Sequence, residues 1–330
     1  MRDVAELAGV SPSTVSLVIS GRKGGETRIS AETEARIHNA INRLDYVPSQ
    51  LARQLRKRST ERICLVLPHL RPYDNALIKS LNVRAAERGY SVIVNVSEGE
   101  AETLRILHQC RAGLADALLI LLDHSNAVYS TVHEQLALLA EARLPVVVMS
   151  DGYTSAIYDV VVSTVESASY EATAYLLAQG HRRIGFIGHI LESTDYPRYR
   201  GFLSAHADFG LAPDAALLSI GATDYESGFR AAEQLLVAKP TALLCASDIS
   251  AIGTLACLRQ QGLAVPGDVA VVGMGNIPES LMTAPALSTI GPKNLDSNPV
   301  AELLLERLAD PNLPPRQLEH SWHLVLRDSA

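Results

Sequence analysis

Catalytic signatures are what this chain of 330 residues lacks. It contains no G-x-G-x-x-G, no G-x-x-x-x-G-K-[ST], no G-x-S-x-G and no H-E-x-x-H, and the HEQLA beginning at His133 has no second histidine. Enzyme classes built on those devices are therefore not supported. Cysteine is scarce: Cys64, Cys110, Cys245 and Cys257 are scattered, with no C-x-x-C and no histidine at metal-ligand spacing. They are expected to be reduced thiols in or near the core, with no metal and no cofactor. No apolar run approaches the ~18 residues that a membrane span needs. The opening MRDVAEL places an acid at position 3 and has no apolar leader segment, so a cytoplasmic product is expected.

Basic charge is also missing overall. The net charge is -7, but it is segregated. Residues 1 to 60 carry ten Lys/Arg against six Asp/Glu, whereas the remainder carries 19 against 30. A basic head on an acidic body suits a protein that meets phosphate with one end and repels it with the other. Hydrophobic content of 47% with 20% charged residues excludes general disorder, and the length allows two or three domains.

The head has its own pattern. In DVAELAGVSPSTVSLVISG, Val4, Ala5 and Ala8 recur at helical spacing and Gly9 follows as a stop. Ser11 is a good N-cap, and Pro12 falls at the first helical position, where its missing N–H costs nothing. The second segment turns Val15, Val18 and Ile19 inward and leaves Ser13, Thr14, Ser16 and Leu17 partly or wholly free. Two short helices about a tight turn are either a packing hairpin or a helix-turn-helix, whose second helix enters the DNA major groove. After the basic loop RKGGETR, Ser30 caps a third helix with Ile29, Ile37, Ile41 and Leu44 on one face. Pro48 opens one more helical segment, which ends in the basic cluster Arg56, Lys57 and Arg58.

From Arg62 the texture changes. Apolar runs at 63–68, 91–96, 117–122 and 145–150 alternate with amphipathic helices, and the rhythm restarts at 160–163 and runs to VAVVGMG at 269–275. Continuous apolar strands between helices mean parallel sheets covered on both faces. Two such units in succession predict two Rossmann-like lobes, with a ligand in the cleft at the carboxyl ends of the strands. The tail adds a helix at 300–308, a Pro-rich loop, and at least one strand within 320–329.

DVAELAGVSPSTVS, YVPSQLARQL, GHRRIGFIG, RYRGF, ASDISAIGTL and DVAVVGMGNIP occur in this order, and with them the chain resembles the LacI/GalR family of bacterial transcriptional regulators over essentially its whole length. The resemblance implies a helix-turn-helix headpiece (residues 1–46), a hinge helix and linker (47–60), and a periplasmic-binding-protein-like core (61–330). Its first lobe would span about 61–160 and 290–321, its second about 161–289 and 322–330. It implies a homodimer on a pseudopalindromic double-stranded operator, controlled by a small molecule between the lobes. No C-terminal heptad run is present, so a dimer is expected rather than a tetramer.

Carried over residue by residue, Ser11, Pro12, Ser13, Thr14, Ser16 and Leu17 fall on the recognition helix, with Thr14 and Ser16 suited to phosphates. Leu17 departs from the family's usual arginine and offers apolar contact only. In the hinge, Leu55 matches the minor-groove wedge, with Ala52 beside it and Gln54 nearby. The effector positions become Arg71, Tyr73, Asp74, Thr164, Arg198, Thr223, Asp248 and Asn276. Fewer carboxylates than usual and an added guanidinium at Arg71 point to a sugar-type ligand, anionic on this count. Asp74 and Asp248 also suit a neutral sugar. A Rossmann-like enzyme and a transport-type binding protein without DNA contact stand as alternatives; the second would need a signal peptide and no basic head.

Overall fold

The protein is described from a computed structural model covering residues 1–20, 29–46, 59–70, 72–122, 130–188, 196–222, 224–293 and 297–330. It divides into two compact units, residues 1–60 and 61–330.

In the first unit, helix α1 (Arg2–Ala8) ends where Gly9 adopts a left-handed φ of 64°. Helix α2 (Pro12–Ser20) starts beside Ser11, whose Oγ accepts the Thr14 N–H at 3.1 Å. Helix α3 (Ala31–Arg43) starts the same way, Ser30 Oγ accepting the Thr33 N–H at 3.2 Å. Capping side chains satisfy amides that have no partner inside the helix. Val4, Ala5, Ala8, Val15, Ile37 and Ala40 close a small core. Leu44 does not join it: α3 ends at Arg43, and Leu44, beyond the last full turn, is exposed. The basic loop and the segment from Pro48 to Arg58, with Ala52, Gln54 and Leu55, lie outside the described residues.

The second unit has two sheets. The first runs in the order β11-β5-β4-β3-β1-β2, all parallel: β1 (Arg62–Leu67), β2 (Ser91–Val96), β3 (Ala117–Leu122), β4 (Val146–Ser150), β5 (Asp159–Ser163) and β11 (Gln317–His320). Side chains alternate across a strand. Ile63, Leu65 and Leu67 therefore pack on helix α4 (Asp74–Glu87) and helix α11 (Asn298–Ala309). Cys64 and Val66 pack on helices α5 (Glu100–Arg111) and α6 (Ser130–Glu141).

The second sheet runs β12-β10-β9-β8-β6-β7: β6 (Ile184–Gly188), β7 (Leu218–Ile220), β8 (Ala242–Cys245), β9 (Ala270–Met274), β10 (Ser288–Gly291) and β12 (His323–Val325), with only β12 antiparallel. Its faces are covered by α7 (Val165–Ala178) with α8 (Pro197–Asp208), and by α9 (Tyr225–Leu235) with α10 (Asp248–Gln260). The second pair touches through glycine. A Cβ on Gly253 would stand 2.0 Å from the Tyr225 carbonyl oxygen, so no other residue lets these helices meet. All four cysteines are free and buried.

Two boundaries differ from the sequence reading. β5 stays in the first sheet through Ser163, and β10 stays in the second through Gly291, so both exchanges fall a few residues later than expected. β11 falls where the sequence pattern gives no strand. Its QLEH alternates exposed and half-buried positions at a sheet edge and has no apolar run.

Candidate DNA-binding face and ligand cleft

On α2, Ser11, Pro12, Ser13 and Leu17 are exposed, and Thr14 and Ser16 half-buried, while Val15 on the opposite side is fully buried. The hydroxyls form a local cluster: Ser11 Oγ lies 2.6 Å from Ser13 Oγ and 2.8 Å from Thr14 Oγ1. Much of Ser11 is thus committed to the cap, leaving Ser13 and Leu17 as the outward side chains. A helix start presenting small polar groups is fitted to phosphate oxygens and base edges.

Between the two lobes lies a cavity of about 320 Å³ at the carboxyl ends of both sheets. Leu121, Met149, Ser150 and Val161 come from the first sheet, Met274 from the second. Strand ends are where an open α/β sheet leaves a crevice. Its walls are largely apolar, with Tyr73 and Trp322 side by side, ring centroids 5.5 Å apart and tilted by 46°. Among the described lining residues, four carboxylates (Asp74, Asp151, Asp224, Asp248) face one guanidinium, Arg198.

Arg198 donates through Nη1 to the Ala246 carbonyl and sits with Cζ 5.5 Å from the Trp322 ring centroid. Burial lowers its pKa, but Tyr196, Asp151, Tyr73 and Asp248 together hold it above the usual arginine value. Tyr73 hydrogen bonds through its hydroxyl to His320 Nε2 at 2.6 Å, and burial, with Asp151 and Asp74, pushes its pKa up. Burial lowers the pKa of His320, with Asp151 opposing.

Asp248, the first residue of α10, is 1% exposed and accepts from the Ile277 N–H at 2.9 Å and from the Thr289 hydroxyl. Burial raises its pKa to about 6, against the lowering effect of those hydrogen bonds and of Arg327 and Arg198. The native state then holds a proton that the unfolded chain, near 3.8, has already released. This group's contribution to stability is full below about pH 4 and is lost as pH rises through about 6. Asp248→Asn is expected to remove that slope: urea titrations from pH 4 to 7 should show wild type losing stability relative to the variant, and parallel curves would contradict the assignment.

The other sequence-derived positions divide. Tyr73, Asp74, Arg198 and Asp248 line the cavity, whereas Arg71 and Thr223 lie outside the described residues. Asn276 does not line it: with φ of 51° it turns its amide to the Pro292 carbonyl and accepts from Arg327. Thr164 does not line it either, because its hydroxyl binds the Trp322 backbone. Sequence offsets locate a backbone position and carry no information about which partner the side chain finds. Among the lining residues that escape the sequence reading are Asp151, to whose Oδ1 Ser163 donates, Asp224, His320 and Trp322. Asp151 directly follows β4, so the strand-end rule alone would have found it; Trp322 carries no such signal.

Two family models match the chain: "Bacterial regulatory proteins, lacI family" over residues 1–49, and a periplasmic binding protein-like domain over 173–330. The HTH-type transcriptional repressor PurR of Photobacterium profundum is 33% identical, over all of this chain and 98% of its own length. That of Aliivibrio fischeri is 34% identical, with the same coverage. The chain belongs to the lacI family of bacterial regulatory proteins. This LacI-family chain also superposes on the lac repressor dimer bound to operator and an anti-inducer, with a TM-score of 0.81, 25% identity, and 99% and 97% of the two chains covered. On a complex of the transcriptional regulator CelR with cellobiose the TM-score is 0.69, at 28% identity and with 100% and 99% covered. It is a DNA-binding transcriptional regulator, and relatives named as repressors fit a regulator and not a catalyst. Among its described residues no helix is long and apolar enough to cross a membrane, and no cluster of three or more His, Cys, Asp or Glu is placed to hold a metal.

In this LacI-family helix Leu17 is where base preference is open to change. Leu17→Arg should shift selection from randomised DNA toward a guanine at one position per half-site, worth about 1 to 3 kcal/mol for a bidentate contact. The same selected site for both proteins would remove Leu17 from base readout.

Proposed function

We propose that this chain is a repressor that binds a pseudopalindromic operator as a homodimer, and that a small neutral, donor-rich molecule of the carbohydrate class, held between the lobes, sets its grip on DNA. The observation that carries the ligand class is the charge of the cavity wall, which among the described lining residues sets four carboxylates against one guanidinium. Carboxylates accept from hydroxyl groups and repel anions, which favours a neutral ligand over the anionic one that Arg71, outside the described residues, suggests. A volume of about 320 Å³ is at the lower end of small-molecule sites, so the ligand is compact. A flat heteroaromatic base is the second reading, favoured by Tyr73 and Trp322 in the wall.

Control follows from differential affinity. A ligand that touches both lobes binds one lobe angle better than another, and each ~1.4 kcal/mol of that preference is a tenfold change in operator affinity. Calorimetry against glucose, cellobiose, glucuronate, glucose 6-phosphate, adenine and guanosine tests the class. A neutral saccharide is expected to bind more tightly than its charged counterparts; tighter binding of glucuronate or glucose 6-phosphate would overturn the neutral reading, and tighter binding of a base would favour the second.

A further inference from the structure

Trp322 occupies an unusual place. β11 in the first sheet ends at His320 and β12 in the second begins at His323, so Ser321 and Trp322 are all that joins the lobes here. Thr164 stands between β5 of the first sheet and α7 of the second lobe, in another crossover. The two crossovers are stitched together: the Thr164 N–H donates to the His320 carbonyl at 3.2 Å, Thr164 Oγ1 accepts the Trp322 N–H at 2.8 Å, and the same hydroxyl donates to the Trp322 carbonyl at 3.5 Å.

The indole is 6% exposed, lines the ligand cavity, and lies between Tyr73 of the first lobe and Arg198 of the second. Any hinge rotation must alter one of those ring contacts. Trp322 Nε1 and Arg198 Nε are both buried with no hydrogen-bond partner among the described residues. Trp322 approaches the Tyr73 hydroxyl closely enough to favour its ionised form, but without a well-formed bond. Unmet buried donors are costly, so an arrangement that brings an acceptor to either is favoured over this one.

We propose that Trp322 is the stacking surface for the cleft ligand and the contact through which occupancy reaches the hinge, with Thr164 as the residue that positions it. The proposal rests on the cleft being the effector site. It assigns Thr164 an indirect role: the hydroxyl touches no ligand and fixes the ring that does.

Trp322 is the only tryptophan in the chain, so its emission reports on this site alone. The full chain is titrated with glucose, cellobiose and adenine, each followed by calorimetry and by tryptophan emission. The probe that binds is expected to change emission with the calorimetric midpoint. Thr164→Val should weaken it about fivefold to tenfold and shrink its effect on operator affinity, and Thr164→Ser should restore both. Binding heat without an emission change overturns the stacking role, and a Thr164→Val protein with full affinity and full operator response overturns the positioning role. If none of the three probes binds wild type, the ligand class proposed above fails, and the stitch is judged on the free protein. A red-shifted emission in Thr164→Val, reversed in Thr164→Ser, supports it; an unchanged emission refutes it.

Discussion

Removing residues 1 to 60 is expected to cost at least about a thousandfold in operator affinity, the usual gap between specific and nonspecific binding. The remaining 270-residue unit should stay folded. It has its own sheets and its own apolar clusters on both faces of each, and no buried residue of the headpiece core contributes to them. Its charge also turns against DNA, with 19 basic residues against 30 acidic ones in 61–330. Counterion release needs cations at the phosphates, and this fragment has a net deficit of them. Fluorescence anisotropy on a selected operator and circular dichroism on the fragment are the two readouts. Retained operator affinity in a folded fragment would sink the headpiece assignment.

Asp159→Ala should produce the largest loss of stability in the core. Asp159 is fully buried at the start of β5 and accepts four hydrogen bonds: from Arg307 Nε at 3.1 Å and Nη2 at 2.6 Å, and from the Arg316 N–H at 2.7 Å and Nη2 at 3.1 Å. Arg307 also donates to the carbonyls of Leu313 and Pro314. One carboxylate thereby ties β5 to α11 and to the chain leading into β11. Truncation leaves Arg307, 7% exposed, with an uncompensated charge, and breaking a buried pair in this way costs about 3 to 5 kcal/mol. Urea denaturation should show that loss at an unchanged m value, and Arg307→Leu in the Asp159→Ala background should recover part of it. A loss under about 1 kcal/mol would mean that water replaces the arginine's partner.

What could be read from the chain depended on how local the signal was. Ser11, Pro12 and Gly9 announce helix ends through their own backbone and side-chain chemistry, and the structure has those ends where the residues put them. ICLVLP and ALLILL announce buried strands because both faces of a parallel sheet are apolar. Polar edges were harder. β11 owes its existence to backbone pairing with β5, from Gln317 beside Val160 to His320 beside Ser163, which leaves no mark on QLEH itself.

The cleft was legible as a place and less so as a set of side chains. Arg198 and Asp248 sit where their motifs put them. Thr164 and Asn276 have the right chain position but spend their polar groups on Trp322 and on Pro292 and Arg327. Trp322 enters the site because the chain crosses from the first sheet to the second at residues 321 and 322, beside the crevice.

The most direct test of the account is operator affinity with the cleft empty and then saturated. The full chain is titrated onto its selected operator by fluorescence anisotropy, without ligand and then with saturating amounts of the molecule that calorimetry places in wild type. A change of tenfold or more in Kd, lost when Arg198→Ala abolishes ligand binding, is the predicted result. An operator Kd that stays within about twofold while the cleft is demonstrably occupied would contradict it, since a ligand with equal affinity for both lobe arrangements shifts nothing.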